Sequence, residues 1–183
     1  AVLFSGSVLA QNGDQATTMA ATISQETIVL GAGCFWGVEY FFRQVNGVTN
    51  ATCGYMGGNN EATTYEEVKK GKTGHAEVVQ VEFDPAIVSY DELLDVFWKN
   101  HNPTTLNMQG GDIGTQYRST IFFHDREQKA AAEASKLAFA RSGRWGLRHI
   151  VTEIVPLQQF HVAEEYHQNY IDKNNLPSCH IEY

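Results

Sequence analysis

The sequence predicts an α+β fold, a ferredoxin-like two-layer sandwich in which helices pack on a mixed, mostly antiparallel sheet and a long coil-like C-terminal tail follows. Strand and helix patterns alternate along the chain, beginning with strand, helix, strand. No repeat, low-complexity tract or linker divides the chain into two cores. Of the 183 residues, 43% are hydrophobic, which is enough for an ordinary core, so we expect one domain over residues 26–183.

The first part of the chain predicts two strands with a helix between them. Thr27–Ala32 is an apolar run typical of a buried strand. Helical spacing then follows Cys34 to about Val45, where an Asn-Gly pair ends it. Val48–Tyr55 is the second predicted strand, and Thr64–Lys70 predicts a short helix or turn.

The middle of the chain predicts a strand, a helix and a loop. From Glu77 to Phe83 the alternation places the Glu77 carboxylate on the same strand face as three apolar side chains. Ser89 and Glu92 form a capping box that opens a helix, which stops near Asn102. Residues 104–115 contain glycines and no periodicity, and this stretch is long enough to be a binding loop.

The last third predicts two strands and two helices. Tyr117–Phe123 has the pattern of a strand, and Asp125 is placed to cap an alanine-rich helix that runs to about Arg141. Ile150–Val155 predicts another strand. A final helix is predicted from the spacing of the apolar residues Val162, Tyr166 and Tyr170.

Composition excludes several classes of function. The net charge of -8 and the absence of a basic run argue against binding to nucleic acid or to an anionic membrane. The longest apolar run, Ile28–Val38, is too short and too rich in glycine to span a bilayer, so we expect a soluble protein. Three cysteines without CxxC or zinc-like spacing suggest neither a disulfide framework nor a structural metal site.

Residues 1–25 are expected to be disordered, or to be a targeting segment or residues added for expression. Ala1–Gln11 can be the remnant of a secretory signal, although no basic segment precedes it. The first basic residue is Arg43, which argues against an organelle presequence. We expect a cytoplasmic location, with a secreted or periplasmic one as the alternative if residues 1–10 are such a remnant.

Cys34 is the candidate nucleophile. It lies between glycines, directly before two aromatic residues, where the predicted strand gives way to the predicted helix. Unpaired backbone N–H groups and the dipole at a helix N-terminus favour a thiolate. The alternative is that this cysteine is only a small buried hydrophobic residue.

Glu77 is the candidate acid. A carboxylate on the buried face of a strand has its charged form disfavoured by desolvation, so it can hold a proton at neutral pH and donate it. The alternative is a glutamate paired with a basic residue or turned to solvent. His75 precedes this strand and can orient the carboxyl group, although exposure to solvent is the simpler expectation for it.

Several aromatic and polar residues can complete a pocket. Phe35 and Trp36 follow the thiol and can form an apolar wall, or they can be ordinary core residues. Tyr65, Tyr117 and Asp112 lie in or beside predicted loops, where their polar ends can converge on a ligand. Tyrosines in such places are otherwise half-buried packing residues.

The remaining cysteines and histidines have weaker signals. Cys179 lies in a C-terminal tail expected to be mobile enough to reach Cys34, whereas Cys53 lies on a predicted strand, so Cys179 is the better candidate for a resolving thiol. His161 and His167 fall on the predicted final helix, and their spacing does not match a zinc motif.

Six motifs together resemble one enzyme family, the type A peptide methionine sulfoxide reductases. The similarity extends from about Thr27 to Cys179, and the motifs are GCFWG, GYMGG, TYEEV, GHAEVV, DIGTQYRS and AEEYHQNY. The resemblance implies that Cys34 is the nucleophile and that Phe35 and Trp36 form the cage for the methyl group of the substrate. It also implies that Glu77 is the acid toward the sulfoxide oxygen.

The same resemblance assigns the remaining site residues. Tyr65 and Tyr117 match the tyrosines that help to bind the sulfoxide oxygen, and Asp112 matches an aspartate of the pocket. A cysteine near the C-terminus resolves the intermediate in the family, and that cysteine is Cys179 here. Many relatives carry two such cysteines, whereas this sequence offers only Cys179. We therefore expect thioredoxin to reduce the Cys34–Cys179 disulfide itself, and Cys53 to be either a bystander or a substitute resolving cysteine.

The implied reaction is the reduction of methionine S-sulfoxide, free or in oxidised proteins, to methionine, which repairs oxidative damage. Thiolate attack on a sulfoxide is slow unless the oxygen is protonated, which fits a neutral glutamate beside two phenols. The cysteine becomes a sulfenic acid, and a second thiol then gives a disulfide. We expect no metal, no organic cofactor and a monomeric enzyme.

Two other classes of function remain as alternatives. One is a cysteine hydrolase or acyl transferase in which a histidine such as His149 or His161 activates Cys34. The other is a binding module that uses the aromatic cage without chemistry at the thiol. Reduction of a ligand that survives Cys34→Ala would support neither enzyme hypothesis and would remove the thiol from the mechanism.

Overall fold

The computed structural model describes residues 25–59 and 63–177. Within these residues the strands are β1 (Glu26–Ala32), β2 (Val48–Met56), β3 (Ala76–Phe83), β4 (Met108–Gln109), β5 (Asp112–Ile113), β6 (Ser119–Phe123), β7 (Glu153–Pro156) and β8 (His161–Val162). The α-helices are α1 (Phe35–Arg43), α2 (Tyr65–Val68), α3 (Tyr90–Lys99), α4 (Arg126–Arg141) and α5 (Tyr170–Lys173). Two 3₁₀ turns cover Thr115–Tyr117 and Glu165–His167. The predictions for the first 24 residues and for Cys179 lie outside the described residues.

The main sheet has six strands in the order β7-β6-β1-β3-β2-β8. Its centre is built from the chain order β1, α1, β2, β3, α3, β6, and every neighbouring pair among these four strands is antiparallel. This is the βαββαβ arrangement of the ferredoxin-like sandwich. Strand β7 joins β6 in parallel, and β8 joins β2 antiparallel. The predicted mixed, mostly antiparallel sheet is confirmed.

The two faces of the sheet bury different clusters. The larger cluster lies between the sheet and helices α1 and α3, and it includes Ile28, Leu30, Val79, Val81, Phe35, Val38, Phe42, Leu93, Phe97 and Trp98. The smaller cluster on the opposite face contains Val29, Val78 and Phe122. Because side chains alternate along β3, Glu77 lies on the face of Val79, under the helices. This is the face that the sequence predicts.

The predicted final helix is wrong. Residues 161–170 form the short strand β8, a 3₁₀ turn and the start of α5. Val162 and Tyr166 are 65% and 56% exposed, so they do not form a buried helical face. The backbone leaves helical geometry at Asn169, which adopts the left-handed conformation with φ of 54°. Pairing of β8 with the edge of β2 replaces the expected helix.

Other element boundaries differ by a few residues. The strand predicted from Tyr117 begins at Ser119, because Tyr117 closes a 3₁₀ turn, and the strand predicted from Ile150 begins at Glu153. Both predicted helix caps are confirmed: Ser89 accepts the N–H of Glu92, and Asp125 accepts two amides of α4. Among the described residues, no helix combines the length and the apolar character needed to cross a membrane.

Candidate active site

Cys34 lies at the point where β1 ends and α1 begins. It is the N-cap residue of α1, with φ of -57° and ψ of 120°, and its side chain is partly exposed. The chain reaches this position through Gly33, whose φ of 95° favours glycine and whose missing Cβ leaves room for the Gln109 side chain. The thiol is therefore carried by the first turn of a helix, as the sequence predicts.

Glu77 approaches the same helix start from the neighbouring strand. Its side chain is 1% exposed, and its Oε2 accepts the backbone N–H of Phe35 at 3.1 Å. Burial raises the pKa of Glu77 to about 8, the Phe35 hydrogen bond opposes this shift, and the charge of Asp112 adds to it. The carboxyl group next to Cys34 is therefore mainly protonated at neutral pH.

Two half-buried tyrosines interact electrostatically with the Glu77 carboxyl group. Tyr65 begins α2, and Tyr117 ends the 3₁₀ turn before β6. Burial raises the pKa of both phenols, and the nearby charges of Glu77 and Cys34 raise it further. Asp112, on the exposed hairpin of β4 and β5, raises the pKa of Tyr117 as it does that of Glu77. The structure therefore brings these four predicted residues into one electrostatic site around Cys34.

The two aromatic residues after the thiol have different environments. Phe35 is 1% exposed and packs in the core, whereas Trp36 is partly exposed. The indole of Trp36 stacks on Tyr170 with ring centroids 3.8 Å apart and an interplanar angle of 11°. Its Nε1–H donates to Nδ1 of His167 at 2.9 Å. Trp36 is thus held as a wall at the surface beside the thiol.

His167 is a site residue that sequence reasoning missed. It is fully buried, and its ring centroid lies 5.0 Å from that of Phe35 and 4.5 Å from that of Tyr65. Since Nδ1 accepts the indole N–H, the ring is neutral with its proton on Nε2. Burial lowers the pKa of His167, although the charge of Glu164 partly opposes this. His167 therefore supports the aromatic wall as a neutral side chain.

Glu164 is a second missed residue. Its carboxylate accepts the backbone N–H of Tyr65 at 2.9 Å and the hydroxyl of Tyr55 at 2.8 Å. Burial acts to raise the pKa of Glu164, but these hydrogen bonds outweigh it and the pKa is lowered. The AEEYHQNY motif, which contains Glu164 and His167, could have pointed to both residues. Because a helix was wrongly predicted there, the contacts of these side chains were not expected.

His75 and Cys53, for which the sequence gives predictions, are both buried. His75 is 2% exposed, and its Nδ1 accepts the N–H of Gly58 at 3.1 Å, so the expectation of solvent exposure is wrong. Cys53 is fully buried on β2, where its thiol contacts the Phe35 carbonyl oxygen at 3.6 Å. Burial, followed by the charge of Glu39, raises the pKa of Cys53 well above its usual value.

The arrangement suits one kind of chemistry. A thiol at a helix N-terminus can act as a nucleophile, and a protonated carboxyl group and two phenols can bind and protonate an oxygen on the atom attacked. The Trp36 wall can hold a small apolar substituent. Among residues 25–59 and 63–177, no group of three or more His, Cys, Asp or Glu side chains could hold a metal ion.

Comparisons with known proteins found similar sequences and similar structures. A family model described as peptide methionine sulfoxide reductase matches residues 26–183. The peptide methionine sulfoxide reductase MsrA of Geobacter sulfurreducens is 57% identical over 161 residues, which cover 88% of this chain and 99% of that protein. The solved structure of methionine sulfoxide reductase A of Corynebacterium diphtheriae has a TM-score of 0.80 and 38% identity, covering 85% of this chain and 77% of the other.

A complex is also among the structural matches. Mxr1 from Saccharomyces cerevisiae in complex with Trx2 matches with a TM-score of 0.59 and 28% identity, covering 86% of this chain and 89% of the other.

The raised pKa of Glu77 predicts a pH-dependent stability. Between pH 4.5 and about 8 the folded chain holds a proton that the unfolded chain has lost, so the free energy of unfolding falls as pH rises. The glutamine of the Glu77→Gln variant cannot ionise. Between pH 5 and 8, the loss in free energy of unfolding should therefore be smaller in this variant than in the wild type, by at least about 1 kcal/mol. Urea denaturation at several pH values measures both.

The matched control is Glu82→Gln, which removes a partly exposed carboxylate from the other end of the same strand. It should keep the pH dependence of the wild type. Identical pH dependence in the wild type and Glu77→Gln would show that Glu77 is charged in the folded protein.

Proposed function

The chain belongs to the peptide methionine sulfoxide reductase family, and on this premise we propose that Cys34 attacks the sulfoxide sulfur while Glu77 protonates the sulfoxide oxygen. The observation that carries the proposal is the hydrogen bond from the Phe35 amide to the buried Glu77 carboxyl. It fixes a protonated acid next to the residue that bears the thiol. Thiol and acid are the two groups that this reaction needs.

The first step transfers one oxygen atom between two sulfur atoms. The thiolate of Cys34 donates an electron pair to the sulfoxide sulfur, and the oxygen takes the proton of Glu77 as the sulfur–oxygen bond weakens. The hydroxyl group then moves to the Cys34 sulfur as the bond between the two sulfur atoms breaks, and the electron pair of that bond goes to the methionine sulfur. Methionine leaves, and Cys34 carries the oxygen as a sulfenic acid. The cysteine sulfur is oxidised by two electrons and the substrate sulfur is reduced by two.

Tyr65 and Tyr117 assist at the oxygen. Burial raises the pKa of both phenols, so both keep their protons and can donate hydrogen bonds as negative charge develops on the oxygen. Asp112 acts on the acid itself, because its charge helps to keep Glu77 protonated. The roles proposed for the two tyrosines are those that the sequence motifs imply, whereas the motifs imply for Asp112 only a place in the pocket.

The methyl group of the substrate is proposed to contact Phe35 and Trp36. Trp36 is the partly exposed member of this pair and is held by Tyr170 and His167, so it offers a fixed apolar surface next to Cys34. A fixed ring loses little freedom when the substrate binds. The proposed substrate is methionine S-sulfoxide, either free or within an oxidised protein.

The sulfenic acid is proposed to be resolved by Cys179, which lies outside the described residues. Its thiol displaces water from the oxidised Cys34 and forms a disulfide, and thioredoxin reduces that disulfide by exchange. The match to Mxr1 in complex with Trx2 supports thioredoxin as the reductant. The cytoplasmic location and the monomeric state stay predictions.

The hydrolase alternative has no support. It required His149 or His161 as a base for Cys34. His149 is exposed, and His161 lies on β8 with its ring edge-on to His75 at 5.2 Å. The family match likewise places the chain among reductases.

Stereochemistry tests the function directly. With thioredoxin, thioredoxin reductase and NADPH, the chain should consume methionine S-sulfoxide and leave the R epimer, measured as NADPH oxidation on each separate epimer. Cys34→Ala should consume neither, because the nucleophile is gone. Consumption of the R epimer, or activity that survives Cys34→Ala, would contradict the proposal.

The resolving role of Cys179 predicts a single turnover. Cys179→Ser should form about one equivalent of methionine per protein and then stop, even with thioredoxin present, because the sulfenic acid has no thiol partner. Mass spectrometry of dimedone-trapped protein should locate the modification on Cys34. Cys53→Ser is the matched control and should turn over normally. Full turnover by Cys179→Ser would transfer the role to Cys53 or to an external thiol.

A further inference from the structure

Glu39 is a buried carboxyl group that the proposed reaction does not use. It lies on α1 and is 1% exposed. Its Oε2 accepts the backbone N–H of Asn169 at 2.7 Å, across 130 positions of sequence. Its other neighbours are the Cys53 thiol and the charges of Arg43 and Lys173. Burial of a carboxyl group costs free energy of folding, so its presence here indicates that the contact has a function.

The residue that Glu39 binds connects two members of the aromatic wall. Asn169 directly precedes Tyr170 and follows His167 by two positions. It adopts the left-handed conformation, with φ of 54° and ψ of 35°. Since Asn169 directly precedes Tyr170, a hydrogen bond that holds its N–H also restricts where the Tyr170 ring can lie.

Helix α1 contacts this segment at two places. Trp36 and Glu39 are three positions apart, so their side chains lie on the same face of the helix. Trp36 stacks on Tyr170 and bonds His167, while Glu39 bonds the backbone between them. The Glu39 hydrogen bond therefore attaches the segment to α1 between the two ring contacts.

A second attachment holds the segment on the sheet side. The Gln168 carboxamide accepts the N–H of Cys53 at 2.8 Å and donates to its carbonyl oxygen at 3.1 Å, in the manner of a paired strand. Gln168 thus fixes the segment to β2, and Glu39 fixes it to α1. Of these two attachments, the Glu39 contact is the one made by the helix that carries Trp36.

We propose that Glu39 is a positioning residue for the substrate: by accepting the Asn169 N–H, it holds Tyr170 and His167 against Trp36 and so fixes the surface that receives the methyl group. The inference rests on the proposed function for its kinetic consequence. The contact itself is a property of the fold. The essential feature is an acceptor atom at the reach of a glutamate side chain, and not a negative charge.

Three substitutions separate reach from charge. Glu39→Gln keeps an acceptor at the same reach without the charge, Glu39→Asp keeps the charge but withdraws the acceptor by one methylene group, and Glu39→Leu removes both. In single-turnover reduction of N-acetylmethionine S-sulfoxide, we expect the Gln variant to behave as wild type. The Asp and Leu variants should need about tenfold more substrate for half-maximal rate, with the maximal rate within about twofold of wild type.

This pattern follows from where the methyl group is held. The wall contacts the methyl group before and during oxygen transfer, so weakening it reduces ground-state and transition-state binding alike. Glu82→Leu is the matched control, because it makes the same change on β3 at a carboxylate hydrogen-bonded to Gln25. It should leave both kinetic parameters unchanged.

The indole N–H resonance of Trp36 gives a readout that needs no activity. Trp36→Phe assigns this resonance in ¹H–¹⁵N spectra of the protein. It should shift in the Asp and Leu variants and stay in place in the Gln variant, while the Trp98 indole, which donates to Ser135, stays constant throughout. If the Leu variant does not fold, the comparison of Asp with Gln carries the test.

Two outcomes would overturn the inference. A Gln variant as impaired as the Leu variant would show that the carboxylate charge, facing Arg43 and Lys173, is what matters. Wild-type kinetics and an unmoved Trp36 resonance in the Asp variant would show that the contact positions nothing. Failure of the wild type to reduce the sulfoxide would instead count against the proposed function, and the indole resonance would still test the Glu39 contact.

Discussion

The hydrogen bond between the Phe35 amide and the Glu77 carboxyl is the contact on which the site depends. The first amides of a helix lack partners within the helix, and a buried carboxyl group lacks water, so each satisfies the other. The bond also fixes the acid through the backbone of the residue that follows Cys34. Because burial keeps the pKa of Glu77 high, this arrangement places a proton beside Cys34, the proposed nucleophile. The ferredoxin-like core makes the contact possible, since β3 is the direct neighbour of β1.

A second set of contacts, made by residues 164–168, builds the surface that we propose receives the substrate. Glu164 binds the amide of Tyr65, His167 binds the indole of Trp36, and Gln168 pairs with the backbone of Cys53. Each of these side chains meets a different element of the core. One short irregular segment thereby joins α2, α1 and β2 around the thiol. The core elements carry Cys34 and Glu77, the proposed nucleophile and acid, and this segment supports Trp36, the proposed contact of the substrate.

Local sequence patterns correctly predicted the positions of Glu77 on its strand and of Cys34 at a helix start. Period-two alternation placed Glu77 on the helix-covered face, and the change from strand to helix spacing placed Cys34 at a helix start. The prediction for the segment around His167 was wrong because hydrogen bonds to residues 131 and 115 positions earlier hold this segment in place. Such long-range contacts leave no periodic pattern in the sequence. The apolar residues of this segment have the spacing of a helix, but Asn169 adopts the left-handed conformation, which interrupts a right-handed α-helix. The assignments of Tyr65, Tyr117 and Asp112 depended on motifs.

The central claim is that the Glu77 carboxyl group is protonated at neutral pH in the folded protein. The most direct test is a ¹³C NMR titration of glutamate-labelled protein, in which the Glu77 carboxyl resonance is the one that disappears in Glu77→Gln. The structure predicts a titration midpoint of about 8. A midpoint near the ordinary value of 4.5 would mean that the acid beside Cys34 is already charged at pH 7, and it would contradict the account.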